Sequence, residues 1–116
     1  MRVSCEEHRS AVVLVLEGDC TCEDVDAMRR AIHPYLERQG LSLVVDGREL
    51  QSIDSAGLEA MLQLADEIRS KSGRLCLAGF AGDARAALYL TRLERRFELK
   101  STIEEAARCV AMGEAA

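Results

Sequence analysis

Aromatic side chains are scarce in this sequence: two Phe, two Tyr and no Trp among 116 residues. Readers of single-stranded nucleic acid stack bases on such rings, so that class loses its main instrument. An excess of positive charge is missing too. Fifteen Lys and Arg face twenty Asp and Glu, a formal charge of −5, the wrong sign for a protein that follows a phosphate backbone. No nucleic-acid partner is expected. Apolar runs stay well short of the about 20 residues that span a bilayer, and Met1-Arg2-Val3-Ser4-Cys5 lacks the apolar stretch of a signal peptide. The expectation is a cytoplasmic protein with no membrane insertion.

Catalytic motifs are equally thin. There is no G-x-S-x-G elbow, no Gly-rich phosphate loop and no Glu-His metal pair. A serine nucleophile needs a base within reach, and the only histidines, His8 and His33, fall on a hairpin and within a helix. No enzyme activity and no cofactor are expected. The five cysteines (Cys5, Cys20, Cys22, Cys76, Cys109) are odd in number and scattered, which suits reduced thiols in a reducing compartment. Cys20 and Cys22 form a C-x-C, but no second pair of ligands accompanies it, so no metal site is expected.

What the chain does have is 48% hydrophobic residues, enough for a core filled by Leu, Val, Ile, Ala and Met. Its length suits one domain, residues 1–116, and no repeat, low-complexity tract or linker divides it. Val3 to Glu7 and Ala11 to Glu17 read as strands joined near His8-Arg9-Ser10, with Gly18-Asp19-Cys20 breaking the second. Thr21-Cys22-Glu23-Asp24 is a capping signal for a helix to about Arg38, in which Pro34 predicts a kink or an early end. Leu41 to Asp46 is an apolar strand reached by that crossover, hence parallel to its predecessor. Arg74 to Ala78 forms another strand, Asp83 caps a helix to about Leu90, and Phe97-Glu98-Leu99 forms a short edge strand. Ser101-Thr102-Ile103-Glu104 opens a last helix to about Ala111, after which Gly113-Glu114-Ala115-Ala116 is expected to fray. The class is α/β: a mixed, mainly parallel sheet flanked by about four helices.

The clearest amphipathic pattern follows Asp54-Ser55-Ala56-Gly57-Leu58. Leu58, Met61, Leu62, Ala65 and Ile68 share one face, with Glu59, Gln63, Asp66, Glu67 and Ser70 opposite. Gly73 sits where a left-handed helix stop is expected. From spacing alone Ser55 is the N-cap, its hydroxyl accepting from the N–H of Gly57 or Leu58. It also lies in a loop leaving the carboxyl end of a parallel strand, where open α/β sheets meet ligands and partners.

These elements resemble the STAS domain, the family shared by anti-sigma factor antagonists and the cytoplasmic tails of sulphate transporters. The resemblance runs through the strand ending at Gly18, Leu43-Val44-Val45-Asp46, Ile53-Asp54-Ser55-Ala56-Gly57-Leu58, Gly73-Arg74-Leu75, Leu88-Tyr89-Leu90-Thr91-Arg92-Leu93 before Phe97, and Ser101 to Ala106. It implies an anti-sigma factor antagonist whose Ser55 is phosphorylated by a partner that is both anti-sigma factor and serine kinase. The unphosphorylated form then binds that partner, and a phosphatase restores it. Asp19, Thr21, Asp54, Ser55, Ala56, Gly57, Leu58 and Glu59 are the implied contact residues. Two positions depart from the family pattern: Cys20 and Thr21 replace an aliphatic residue and Asp after Asp19, and Arg92 stands where Gly is common.

A phosphate on Ser55 would add about −1.5 to −2 charge at a helix N-terminus, which tolerates it, while making the surface beside Asp19 and Asp54 densely anionic. Two other readings stay open on the residues alone: a STAS subunit of another machine, such as a lipid-transport ATPase or a chemosensory or stress-signalling complex, with Ser55 only a cap; and a serine hydrolase using Ser55.

Overall fold

The structure is a computed structural model describing residues 1–9 and 11–112. The fraying expected of residues 113–116 falls outside the described residues. Five strands, β1 (Arg2–Glu7), β2 (Val12–Cys20), β3 (Ser42–Ile53), β4 (Arg74–Ala78) and β5 (Glu98–Lys100), form one sheet in the order β1-β2-β3-β4-β5. β1 pairs antiparallel with β2, and every later pair is parallel. The mixed, mainly parallel sheet is the one expected, and four α-helices flank it: α1 (Val25–Ile32), α2 (Ser55–Ser70), α3 (Gly82–Leu90) and α4 (Ile103–Met112).

Because spatial strand order follows chain order, crossovers of one hand place their helices on one face. Met28 and Ile32 of α1, Met61, Leu64 and Ile68 of α2 and Leu88 of α3 pack there with Leu14, Leu16, Leu43, Val45, Leu75 and Leu77. The alternate strand positions Val13, Val44, Cys76 and Ala78 point the other way and are covered by Ala106 and Val110 of α4. Both faces of β2, β3 and β4 are therefore buried, which is why these strands read as continuous apolar runs.

Several boundaries differ from the sequence reading. Gly18, at φ +93°, does not break β2; it sits among register shifts that carry the strand on to Cys20. β3 runs past Asp46 to Ile53, and its second half pairs only with β2, beyond the end of β4. Arg48, Glu49 and Gln51 are exposed on this two-stranded extension, so no apolar pattern announces it. The helix expected to reach Arg38 is instead a 3-10 turn at Cys22–Asp24, α1, and a second 3-10 turn at His33–Tyr35 that holds Pro34. Lacking an N–H, Pro34 cannot extend the α-helical ladder, and α1 stops two residues before it.

At the end of α2 the left-handed residue is Ser72 (φ 63°), not Gly73. Ser72 N–H donates to Arg69 O at 3.0 Å and Gly73 N–H to Ile68 O at 2.8 Å, a Schellman stop. Gly73 is required for another reason: a Cβ there would stand 2.5 Å from Leu41 O. α3 has Ala81 rather than Asp83 at its N-cap, with no side-chain bond. The side-chain cap of the last helix is one residue later than expected: Thr102 Oγ1 accepts from Glu105 N–H at 3.1 Å.

Candidate functional site

β2 and β3 end side by side at Cys20 and Ile53, and α2 leaves immediately after β3. The cap of α2 is Asp54, not Ser55. Its extended backbone (φ −92°, ψ −179°) turns the carboxylate over the first turn, where Oδ1 accepts from Gly57 N–H at 2.9 Å. Oδ2 accepts from Cys22 N–H at 3.0 Å, and Asp54 N–H donates to Cys20 O at 3.0 Å. One residue thus closes the helix N-terminus and fastens it to the segment after β2. The carboxylate brings two oxygens at separate positions, one for each amide, where a hydroxyl would have a single oxygen for both. Ser55 becomes the first helical residue, exposed and freed from capping.

The segment after β2 is capped in its turn. Thr21 accepts from Glu23 N–H at 3.3 Å, while Asp24 accepts from Thr21 N–H at 2.9 Å and from its hydroxyl at 3.0 Å. The Thr21 amide is the main reason that the Asp24 carboxyl is held below its ordinary range. Asp19 lies opposite Ser52 in the β2–β3 register, and Ser52 Oγ donates to Asp19 at 2.6 Å.

Of the residues singled out in the sequence, Asp19, Asp54, Ser55 and Glu59 are exposed, and Thr21 and Ala56 half-buried, around this one corner of the sheet. Gly57 and Leu58 are buried. A Cβ on Gly57 would stand 2.8 Å from Ile53 Cγ1 and 2.9 Å from Cys20 Sγ, so the glycine lets α2 seat directly on the two strand ends. Along α2, Met61 and Ala65 are buried as expected and Leu62 only partly, while Gln63 joins Glu59 on the exposed side.

Between the 3-10 turn and α2 runs an open cleft of about 340 Å³, lined by Cys22, Val25, Asp26, Ala56, Glu59, Ala60 and Gln63. Cys22, Val25, Asp26, Ala60 and Gln63 were not among the contact residues expected from the sequence. The α2 members recur three and four residues apart from Ala56, a spacing that could have disclosed them; those before α2 are brought in by tertiary packing. The corner is anionic, carrying Asp19, Glu23, Asp26, Asp54 and Glu59.

Cys20 is buried, and its thiol is pushed up to about 11 by burial and by the charges of Asp24 and Asp54. Cys22 is exposed, and all five cysteines are free thiols. Among the described residues no group of three or more His, Cys, Asp and Glu is arranged to hold a metal ion. His8 follows β1 opposite the start of β2, at the other end of the strands from Ser55, and His33 follows the last residue of α1. Among the described residues no helix is long and apolar enough to cross a membrane.

The architecture and this corner define an α/β domain with a helix N-terminus presented at the carboxyl ends of parallel strands. The sequence profile of the STAS domain matches residues 2–106, and the chain belongs to the STAS domain family. No curated protein matches the sequence. Among solved structures, a candidate anti-sigma factor antagonist from Thermotoga maritima is similar with a TM-score of 0.83 at 22% identity, over 93% of this chain and 93% of its own. An anti-sigma factor antagonist from Mycobacterium paratuberculosis gives 0.83 at 21% identity, over 94% and 92%. SpoIIAA, an anti-sigma factor antagonist and Bacillus cell fate determinant, gives 0.71 at 20% identity in its unphosphorylated form, over 94% and 97%. Its phosphorylated form gives 0.72 at 22%, over 94% and 99%. At these identities the likeness is one of fold.

Proposed function

We propose that this STAS domain is an anti-sigma factor antagonist: a cytoplasmic binding module, not an enzyme, controlled by phosphorylation of Ser55. The observation that carries the reading is the division of labour between Asp54 and Ser55. Asp54 caps α2 and ties down the Cys22 segment, leaving the Ser55 hydroxyl exposed at the helix N-terminus with no structural duty there. A kinase can modify such a group without unmaking the fold, and the helix dipole receives the new charge favourably.

The interface responds differently. A phosphate adds about −1.5 to −2 charge to a corner already holding Asp19, Asp54 and Glu59, and a partner shaped for a neutral hydroxyl is repelled or left with unpaired charge. Unphosphorylated protein holds the anti-sigma kinase through Asp19, Thr21, Asp54, Ser55, Ala56 and Glu59, with Gly57 and Leu58 seating the helix beneath. Phosphorylation releases it, and a phosphatase resets the switch. His8 sits at the other end of the strands, bonded to Glu6, and Ser55 makes no hydrogen bond to a histidine among the described residues, which supports binding over serine-nucleophile catalysis. SpoIIAA, an anti-sigma factor antagonist solved in unphosphorylated and phosphorylated forms, lends the same support.

The test is affinity capture from native cell extract on wild-type and Ser55→Asp protein, with mass spectrometry of the captured proteins and of Ser55. The reading expects a small ATP-dependent kinase held by the wild type, lost from the Asp variant, and able to phosphorylate Ser55 with ATP. Equal capture by both proteins, or capture of a transporter ATPase with Ser55 left unmodified by any bound kinase, overturns it.

A further inference from the structure

β1 is an edge strand, six residues long and paired with β2 along its whole length without a register shift. The other edge of the sheet, β5, has only three residues. Among the described residues no strand pairs with the outer side of β1, and the strand contains no Pro, no Lys and no bulge, devices that commonly blunt an edge. A long, regular edge of this kind is a template for another strand. We propose that it pairs with the same edge of a second copy of this chain, antiparallel about a two-fold axis at Ser4, to give a homodimer with one continuous sheet. The proposal does not depend on the reading given to Ser55.

The backbone decides which groups are free for such a pairing. His8 N–H donates to Ala11 O at 2.9 Å, which makes His8 and Ala11 a hydrogen-bonded pair of the hairpin. In an antiparallel ladder these pairs alternate with non-hydrogen-bonded ones. Arg2, Ser4 and Glu6 therefore turn their N–H and C=O groups to β2, and Val3, Cys5 and Glu7 turn theirs to the open edge. With the axis at Ser4, Val3 meets the partner's Cys5 as a hydrogen-bonded pair, and symmetry repeats the exchange between Cys5 and the partner's Val3.

The side chains select that axis. Arg2, Ser4 and Glu6 are exposed on one face of β1, while Val3 and Cys5 are half-buried on the other, against the core cluster that holds Met28 and Ile32. An axis at Ser4 sets Arg2 opposite the partner's Glu6 and Glu6 opposite the partner's Arg2, and opposite charges directly across a ladder attract. It also lays Val3 beside the partner's Cys5, which carries the apolar row across the junction. The charges that would otherwise discourage pairing are thus matched by symmetry. An axis at Val3 or Cys5 instead sets Arg2 opposite the partner's Ser4 or the partner's His8, and an axis at Glu6 sets two carboxylates face to face. Within one chain Arg2 reaches Glu17 at 3.5 Å and Glu6 reaches His8 at 3.3 Å, both between exposed side chains, so neither charge is committed.

The experiment is sedimentation equilibrium of the full chain from micromolar to millimolar concentration, on wild type and on charge reversals. Wild type is expected to become a dimer within that range. Arg2→Glu and Glu6→Arg should each weaken the dimer by roughly tenfold, because each reversal turns both symmetric contacts from attraction to repulsion. The double variant restores opposite charges across the axis and should recover most of that loss. Ser4→Cys in a Cys5→Ala background should form a covalent dimer on mild oxidation, mapped to position 4 by mass spectrometry, since the pair on the axis brings its Cβ atoms to about 5 Å, close to the reach of a disulfide. A chain that stays monomeric at millimolar concentration overturns the proposal. A dimer indifferent to both reversals does so too, and so does a wild-type crosslink through Cys5, which places the axis one residue away. Urea unfolding of each variant shows that lost assembly is not lost folding.

Discussion

Cys22 N–H donates to the Asp54 carboxylate at 3.0 Å across 32 positions of sequence. The other oxygen of that carboxylate caps α2 through Gly57. Asp54→Ala removes both acceptors, and the expected cost is about 1–2 kcal/mol, at the upper end of a lost N-cap. Asp54→Asn keeps one carbonyl acceptor and is expected to fall between Ala and wild type. Urea unfolding of the three proteins checks the order.

Ser55 follows the cap and is not the cap itself, so its substitutions should barely touch the fold. Ser55→Ala is expected to change stability by less than about 0.5 kcal/mol, as for an exposed position. Ser55→Asp is expected to gain about 0.3–1 kcal/mol from the helix dipole. Partner affinity should run in the other direction, preserved in Ala and weakened in Asp. Thermal melts beside binding titrations read both, and an Ala variant that melts well below wild type would return Ser55 to a structural role.

Gly57 and Cys20 compete for one volume. Gly57→Ala improves helix propensity by up to about 1 kcal/mol, but its methyl must displace Cys20 Sγ and Ile53 Cγ1. Overpacking of this kind costs about 1–3 kcal/mol, so net destabilisation is expected. Combining it with Cys20→Ala clears the sulfur, and a double-mutant cycle should return a favourable coupling between the two changes. Strictly additive effects would show that the methyl fits without the sulfur moving.

Glu98 links β5 to β4 through Arg74 and to α4 through Cys109, whose thiol donates to Oε2 at 2.6 Å. Burial pushes its carboxyl upward, but the hydrogen bonds from Arg74 and Cys109 outweigh that and hold it below its ordinary range. A carboxylate with a depressed folded value stabilises the fold above its unfolded value, about 4.3, and that contribution disappears as pH falls through the folded value. Glu98→Gln should therefore be less stable than wild type at neutral pH, with the gap closing as the pH drops below about 4. Denaturant midpoints across that range measure it; a gap that stays constant would assign the loss to packing.

Hydrophobic periodicity carried most of the architecture. Val12–Leu16, Leu43–Val45 and Leu75–Leu77 are apolar on both faces because both faces are covered, and the stripe on α2 is read from Leu58, Met61 and Ala65 without any knowledge of the sheet. Thr21 and Asp24, three apart, disclosed their own capping box. The second half of β3 stayed hidden, since a ribbon paired on one edge and exposed at Arg48, Glu49 and Gln51 buries only the widely spaced Leu50 and Ile53 as large apolar residues.

What the sequence determined by itself was local: strands and helices from the spacing of apolar residues, and a corner built on Asp54 and Ser55. The competition between those two neighbours was decided only in three dimensions. Either residue satisfies Gly57 in sequence terms, but only when β2 has delivered the Cys22 amide to the same place does the carboxylate's second oxygen find a partner.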